Sequence, residues 1–441
     1  MSTKFSMIGL LFAALLGSST LSAGPKIQHW KTDKGTRVYF VEATGLPLVD
    51  IQLVFDAGSA RDSEKFGLAA FTSSLLDKGA GEWNADQVAQ RLEGVGAQLE
   101  TGVSRDSAWL SLRTLTETPI LESALETSAK VLSAPRFHGD DFAREQKRIL
   151  AALKRHAESP AQIAAKLFFE RIYQNHPYGH RVLGETETIN ALSVQDLKDF
   201  YREFYVASNA IAVVVGDVSR TKAAAIVEDL TANIEAGNPA ANIPPVDYTR
   251  AGQRDTIAFP SAQTHIYSGM PVLEWHDPDY FALYVGNHVL GGAGLVSRIS
   301  TEIREKRGLA YSASSSFSAM LRKGPFIMAL QTRNDQSQEA LRVLNQTLRK
   351  FISEGPSDEE LEKAKKNLTG GFVLRIDSNR KLSDYLAMIA FYDLPLDYLD
   401  TFNAKVNAVT IDEIKAAFQR HLKQDSFETV LVGGEGKSLD N

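Results

Sequence analysis

Residues 189–201 read INALSVQDLKDFY, and residues 406–418 read VNAVTIDEIKAAF. The two stretches match at an offset of 217 residues, and the apolar strand ends Val213–Gly216 and Val430–Gly433 fall at the same offset. A third echo links LDKGAG (residues 76–81) with LGGAG (residues 290–294). A chain that repeats a mixed helix–strand pattern over about 200 residues carries two copies of one structural unit. The expected fold class is therefore α+β: two repeated domains, each an antiparallel-rich sheet covered by helices. Residues 233–246, NIEAGNPAANIPPV, are rich in Pro, Asn, Ala and Gly and read as a linker. The expected organisation is an N-terminal domain over 24–232, a linker over 233–252 and a C-terminal domain over 253–441. Two such units can close on each other as a clamshell around a chamber suited to an extended peptide.

The 441 residues suffice for two or three cores. The net charge of −6, with no long basic run, argues against a nucleic-acid partner. With no cysteine, the chain has no disulfide, thiol nucleophile or thiolate-bound metal. At the start, Lys4 precedes the apolar run Met7–Leu16, followed by Gly17, Ser18, Ser19, Ser22 and Ala23. This is the pattern of a secretory signal over residues 1–23, too short to cross a bilayer. The expectation is an exported protein, periplasmic in a double-membraned bacterium, with no membrane span in the mature form.

In the first half, Val49, Ile51, Leu53, Phe55 and Ala57 alternate with Asp50, Gln52 and Asp56, which predicts a strand with one face buried. Asp62 or Ser63 can cap the helix that follows Gly67. In the second half, Val289–Phe317 reads VLGGAGLVSRISTEIREKRGLAYSASSSF. It predicts a glycine turn, a helix over 297–306, a stop at Gly308, and a strand presenting Leu309, Tyr311, Ala313 and Phe317 on one face. That order brings Arg304, in the last helical turn, near Tyr311 at the start of the strand. A guanidinium beside a phenol can hold a carbonyl or an oxyanion. On these residues alone, a helix–turn–strand connector with a solvent-facing Arg is the favoured reading, since charged helix faces are usually solvated.

The order of these elements, with GLAAF, LGGAGLVSR, REKRGLAY, VNAVTIDEI and NHPYGHRVLG (residues 175–184), resembles the pitrilysin–insulinase metallopeptidases over the whole mature chain. It is most similar to their two-domain branch, which includes the mitochondrial processing peptidase subunits and in which each chain forms half of a clamshell. Active members carry H-x-x-E-H on a helix of the first domain, whose histidines bind zinc and whose Glu activates the zinc-bound water. A Glu on a later helix completes the ligands. Here the resemblance places Ala70, Ser73 and Ser74 at the three motif positions, and Ala152 at the third-ligand position. Glu145 lies two turns too early to substitute. Neither Ala nor Ser holds zinc, so no metal and no cofactor is expected in this chain. The family's Arg and Tyr, seven residues apart in the second domain, are retained as Arg304 and Tyr311. In heterodimeric relatives one subunit carries zinc and the other this pair. The resemblance thus implies a non-catalytic subunit, inactive alone, that presents Arg304 and Tyr311 to the active site of an H-x-x-E-H homologue with zinc in that partner. Its substrate would be a peptide or unfolded polypeptide. The alternative is a peptide-binding or assembly scaffold with no part in catalysis.

Other features carry less. His176 and His180 sit in a Pro/Gly turn, which breaks the helical spacing a metal pair needs. His288 reads as a core or rim histidine. The glycines at 291–294 lack the phosphate-loop pattern, no G-x-S-x-G elbow occurs, and Ser357 with Glu360 reads as a solvated capping box.

Overall fold

The computed structural model describes residues 25–434; the expected export signal lies outside them. The first half runs β1 (Gln28–Lys31), β2 (Arg37–Glu42), β3 (Leu48–Phe55), α1 (Leu68–Leu75), a short hairpin β4 (Gly79–Ala80) and β5 (Trp83–Asn84), and α2 (Ala85–Glu93). It continues with β6 (Gln98–Val103), β7 (Ala108–Leu115), α3 (Thr118–Ser133), α4 (Gly139–Ala157), α5 (Pro160–Tyr173), α6 (Thr186–Ala191), α7 (Val194–Phe204), β8 (Ala210–Gly216) and α8 (Arg220–Thr231). The second half runs β9 (Arg254–Ile257), β10 (Gln263–Leu273), α9 (Tyr280–Asn287), α10 (Arg298–Ser300), β11 (Ala310–Phe317) and β12 (Gly324–Arg333). It ends with α11 (Ser337–Glu354), α12 (Asp358–Gly370), α13 (Asn379–Phe391), α14 (Tyr398–Ala408), α15 (Ile411–His421) and β13 (Glu428–Val432).

The two sheets have the same wiring. The first is ordered β1-β2-β8-β3-β7-β6 and the second β11-β12-β10-β13-β9. Reversed, the first reads β6-β7-β3-β8-β2-β1; its first five strands map in order onto the five of the second, and β1 is an extra edge strand. Pairings are antiparallel except for β2 with β8 and β9 with β13. The α+β repeat is therefore the architecture. The matched stretches 189–201 and 406–418 enter α7 and α15 through equivalent capping boxes, Ser193 with Asp196 and Thr410 with Glu413.

The prediction that β3 buries only one face needs correction. Seven of its eight residues are buried, Asp50 and Gln52 included. The reason is a helix that belongs to the other half: α13 lies across β8 and β3. Leu382, Leu386 and Ala390 of α13 share one core with Val54, Ile211, Val213 and Val215 of the first sheet. Reciprocally, α5 lies on β10 and β13 of the second sheet, where Ala164, Phe168 and Ile172 meet Val430 and Val432. Each half thus covers a face of the other's sheet, and the two halves form one body. Asp50 is tolerated because Arg113 on the neighbouring strand takes it in a two-pronged ion pair at 2.9 and 3.0 Å.

The joint is pinned by Asp106, at the tip of the β6–β7 hairpin and 1% exposed. Its carboxylate accepts from the Tyr178 hydroxyl, from Leu321 N at 3.0 Å and from the Tyr392 hydroxyl at 3.0 Å. Two of those three donors belong to the second half. Burial pushes the Asp106 carboxyl above its ordinary range, against these hydrogen bonds. Residues 232–253, between α8 and β9, hold no helix or strand. They are strapped to both halves: Arg61 donates to the Ala241 carbonyl at 2.5 Å, and Arg322 to the Ile243 carbonyl at 2.6 Å. Among the described residues, no helix is long and apolar enough to cross a membrane.

Candidate functional site

Two sites follow from this frame, one in each half. In the first half, α1 starts at Gly67, in the left-handed region at φ 95°. The buried Asp62 caps it, accepting from Gly67 N and Ala69 N at 2.7 Å each. His180 lies 3.1 Å from the same carboxylate and stacks on Phe66 at 4.3 Å. His176 contacts the Pro244 carbonyl at 2.9 Å. Both histidines of the NHPYGH turn are therefore used in holding the frame.

Helix α1 packs between α4 and β6, so the four positions assigned by resemblance come from adjoining elements. None offers a metal ligand of the required kind. Ala70 presents a methyl group and is buried. Ser73 is buried; its hydroxyl donates to the Gly102 carbonyl at 3.2 Å, and its own carbonyl accepts from Thr101 at 3.0 Å. The Ser74 hydroxyl turns back to the Phe71 carbonyl at 2.9 Å. Ala152 sits on α4. Glu145, seven residues earlier and about 10 Å along the helix axis, is taken in a two-pronged pair by Arg148. A zinc ion does not fit this donor set, and no step of the chemistry can be routed through a metal held here. One other group among the described residues, Asp277, Asp279 and His421, brings three possible ligand atoms within 4.8 Å of one another. Its Asp279 carboxylate is already engaged by His421 at 2.9 Å and by Arg420.

The second site is the stretch 288–317, and its local structure departs from the predicted plain helix over 297–306. Residues His288–Gly292 form a π-helical turn, α10 spans only Arg298–Ser300, and Thr301–Glu305 form a second π-helical turn. Such wide turns concentrate at functional sites because they shift side-chain register by one residue. Gly291 lies against β11: a Cβ there would stand 2.3 Å from Ser315 Oγ and 2.4 Å from Ser315 N. The Asn287 amide and Ser315 close that contact through two hydrogen bonds, at 2.6 and 3.2 Å. Gly291→Ala must push β11 outward and is expected to cost about 1–3 kcal/mol in chemical denaturation. Glu360 is more than the predicted solvated capping residue. It also takes Arg298 in a two-pronged pair at 2.5 and 2.6 Å, bracing this helix against α12.

Arg304 leaves the second π-helical turn and its guanidinium lies 4.6 Å from the centre of the Tyr311 ring, a cation–π contact. The neighbouring cations Lys306 and Arg307 share one carboxylate, Glu302, each at 2.6 Å. Among the described residues Arg304 has no carboxylate partner. The expected strand face also needs correction. Leu309 and Ala313 turn inward, but the pairing of β11 with β12 slips between Ala310 and Ala313. That irregularity throws Tyr311 outward, leaving it 76% exposed. Bulges re-aim single side chains in this way. Leu295 and Val296, in the glycine turn, are likewise exposed. The structure therefore brings Arg304 and Tyr311 together on the surface, with the phenol directed away from the chain's own core.

Comparison with known proteins identifies the family of the chain. The model for "Insulinase (Peptidase family M16)" matches residues 37–186, and that for "Peptidase M16 inactive domain" matches residues 191–368. A crystal structure described as a peptidase M16 inactive domain from Pseudomonas fluorescens superposes with a TM-score of 0.90 at 35% identity, covering 94% of this chain and 100% of that one. A protease structure from Helicobacter pylori superposes with a TM-score of 0.86 at 19% identity, covering 93% of this chain and 100% of that one, a likeness of fold. Among curated sequences, an uncharacterized zinc protease of Streptomyces coelicolor, SCO5738, is 27% identical over 79% of this chain and 77% of its own length. The "non-peptidase homolog YmxG" of Helicobacter pylori is 25% identical over 91% of this chain and 92% of its own length. The chain belongs to the M16 (insulinase) family of metallopeptidases. Within it, the match to the inactive-domain model, the likeness to the Pseudomonas fluorescens inactive-domain structure and the likeness to a non-peptidase homologue mark a non-catalytic member.

Proposed function

We propose that the chain is the non-catalytic subunit of an exported heterodimeric zinc metallopeptidase. It supplies a chamber wall and the Arg304/Tyr311 pair to a homologous partner that carries H-x-x-E-H and the zinc. One observation carries this reading: the metal-site positions are emptied of every ligand, while Arg304 and Tyr311 stay paired, unneutralised and pointed outward. A pair with no use inside its own chain makes chemical sense across an interface. In the partner's site, Arg304 would hold the scissile carbonyl of an extended peptide, and the Tyr311 hydroxyl would donate to the oxyanion as it forms. The base and the metal are the partner's.

The test is co-expression of the chain with an exported H-x-x-E-H homologue from the same genome, followed by size-exclusion chromatography and a peptide-cleavage assay. The expected result is a co-eluting pair whose activity exceeds the sum of the separate subunits. Failure to co-elute, or a mixture no more active than the homologue alone, would favour the reading as a binding or assembly scaffold. Export itself is checked by the N-terminal sequence of the secreted protein, expected to begin near Gly24.

A further inference from the structure

The repeat gives the second half its own counterpart of the emptied zinc site. By strand order and connection, α9 takes the place of α1, β11 that of β6 and α12 that of α4. The echo of Leu76 in Leu290 sets the register at 214 residues, so Tyr284, Asn287 and His288 stand where the first half has Ala70, Ser73 and Ser74. In the second half this place is a cleft of about 460 Å³ between α9, the end of β11 and α12. A smaller cleft of about 300 Å³ adjoins it and shares Trp275, Tyr280, Tyr284 and Arg375. Together they fall in the size range of small-ligand sites.

The lining has a definite chemistry. Trp275 and Tyr280 stack at 5.0 Å, and the rings of Tyr280 and Tyr284 lie nearly parallel at 6.0 Å, which makes an aromatic wall. Arg375 donates to the Tyr284 hydroxyl at 2.5 Å and also meets Tyr385. Among the described residues no carboxylate pairs with it. Two phenols engage only part of a guanidinium that carries five N–H donors. Asp384 lines the smaller cleft but faces Arg380. Trp275 Nε1 is buried without a partner of good geometry, with the Tyr392 phenol close by. Burial, and then Arg375 itself, hold the His288 imidazole below its ordinary range, and in the larger cleft Arg375 is the one Lys, Arg, Asp or Glu of the lining.

We propose that this cleft binds the carboxylate terminus of a peptide whose last residue is aromatic or bulky and apolar. The guanidinium takes the carboxylate in a forked contact, and the Trp275–Tyr280–Tyr284 wall takes the side chain. The proposal stands apart from Arg304 and Tyr311 and needs no partner subunit or metal. The probe is N-acetyl-L-phenylalanine, with N-acetyl-L-phenylalaninamide as its uncharged control, titrated into the intact chain by calorimetry. The acid is expected to bind with a Kd below about 1 mM and the amide at least about tenfold more weakly. Arg375→Met should weaken the acid by about tenfold or more and leave the amide unchanged. Ser316 lies exposed on the cleft wall; Ser316→Phe narrows the cleft while keeping the Arg375 side chain, and it should abolish binding of both probes at an unchanged melting temperature. That second variant decides the matter if Arg375→Met does not fold. Equal binding of acid and amide, binding unaffected by either variant, or no saturable binding at all would overturn the proposal.

Discussion

Replacing Arg304 by Ala and Tyr311 by Phe together is expected to lower kcat/KM of the assembled peptidase by about 10²–10³-fold, with zinc content and subunit association unchanged. Loss of one oxyanion donor costs a hydrolase roughly that much, about 2.7–4 kcal/mol of transition-state binding. The two residues form one unit, since the guanidinium lies over the phenol at 4.6 Å. Each single variant should therefore recover little of the loss, because residues that act together are not additive. The split between constants separates two roles. If the pair stabilises the oxyanion, kcat falls; if it only anchors the peptide, KM rises and kcat is kept. Arg304→Lys should not restore the activity, because an ammonium offers neither the planar fork nor the same ring stacking. Full activity of the double variant in the complex would remove the clamp from the account.

The second large effect concerns the frame. Asp106→Ala is expected to destabilise the chain by about 3–5 kcal/mol in chemical denaturation, since each buried donor left without an acceptor costs about 1–3 kcal/mol. Three donors lose their acceptor at once: the hydroxyls of Tyr178 and Tyr392 and the backbone N–H of Leu321. The Tyr178 hydroxyl is itself an acceptor for Arg322 N at 3.2 Å, so the loss extends along the β11–β12 hairpin. Asp106→Asn keeps one acceptor oxygen but brings two N–H donors into a place that already holds three, and should cost about half as much. Because Leu321 and Tyr392 belong to the second half, protease susceptibility of residues 232–253 should rise with either variant. An Asp106→Ala protein with unchanged denaturation midpoint would show that the halves are held by apolar contact alone.

The sequence alone carried the two-fold repeat, because capping residues, closing strands and glycine turns recur at fixed offsets and are local in character. It also carried Arg304 and Tyr311, since a helix stop at Gly308 dictates how close a last-turn residue comes to the next strand. Four things were out of its reach. The exchange of α5 and α13 between the sheets depends on which apolar face meets which, and an amphipathic helix does not name its partner. The exposure of Tyr311 depends on a one-residue slip in β11, which apolar alternation reads as a regular strand. The cleft around Arg375 gathers residues from α9, β11 and the segment after α12, which no motif spacing connects. The buried hold of Asp62 on His180 was hidden for a similar reason: the two are 118 positions apart. By contrast, the assignment of Ala70, Ser73, Ser74 and Ala152 to zinc positions rests on family resemblance; what the structure adds is that both serine hydroxyls bond to backbone carbonyls.

The central claim is that the metal and the pair acting with it belong to different chains. The most direct measurement is zinc content and peptide cleavage for the purified chain alone and after mixing with an exported H-x-x-E-H homologue. The account predicts less than about 0.1 zinc per isolated chain and no cleavage, since neither Ala nor Ser supplies a ligand. It predicts that the mixture cleaves peptide with zinc at one per heterodimer. One tightly held zinc in the isolated chain, or cleavage by that chain in the absence of any homologue, would contradict it.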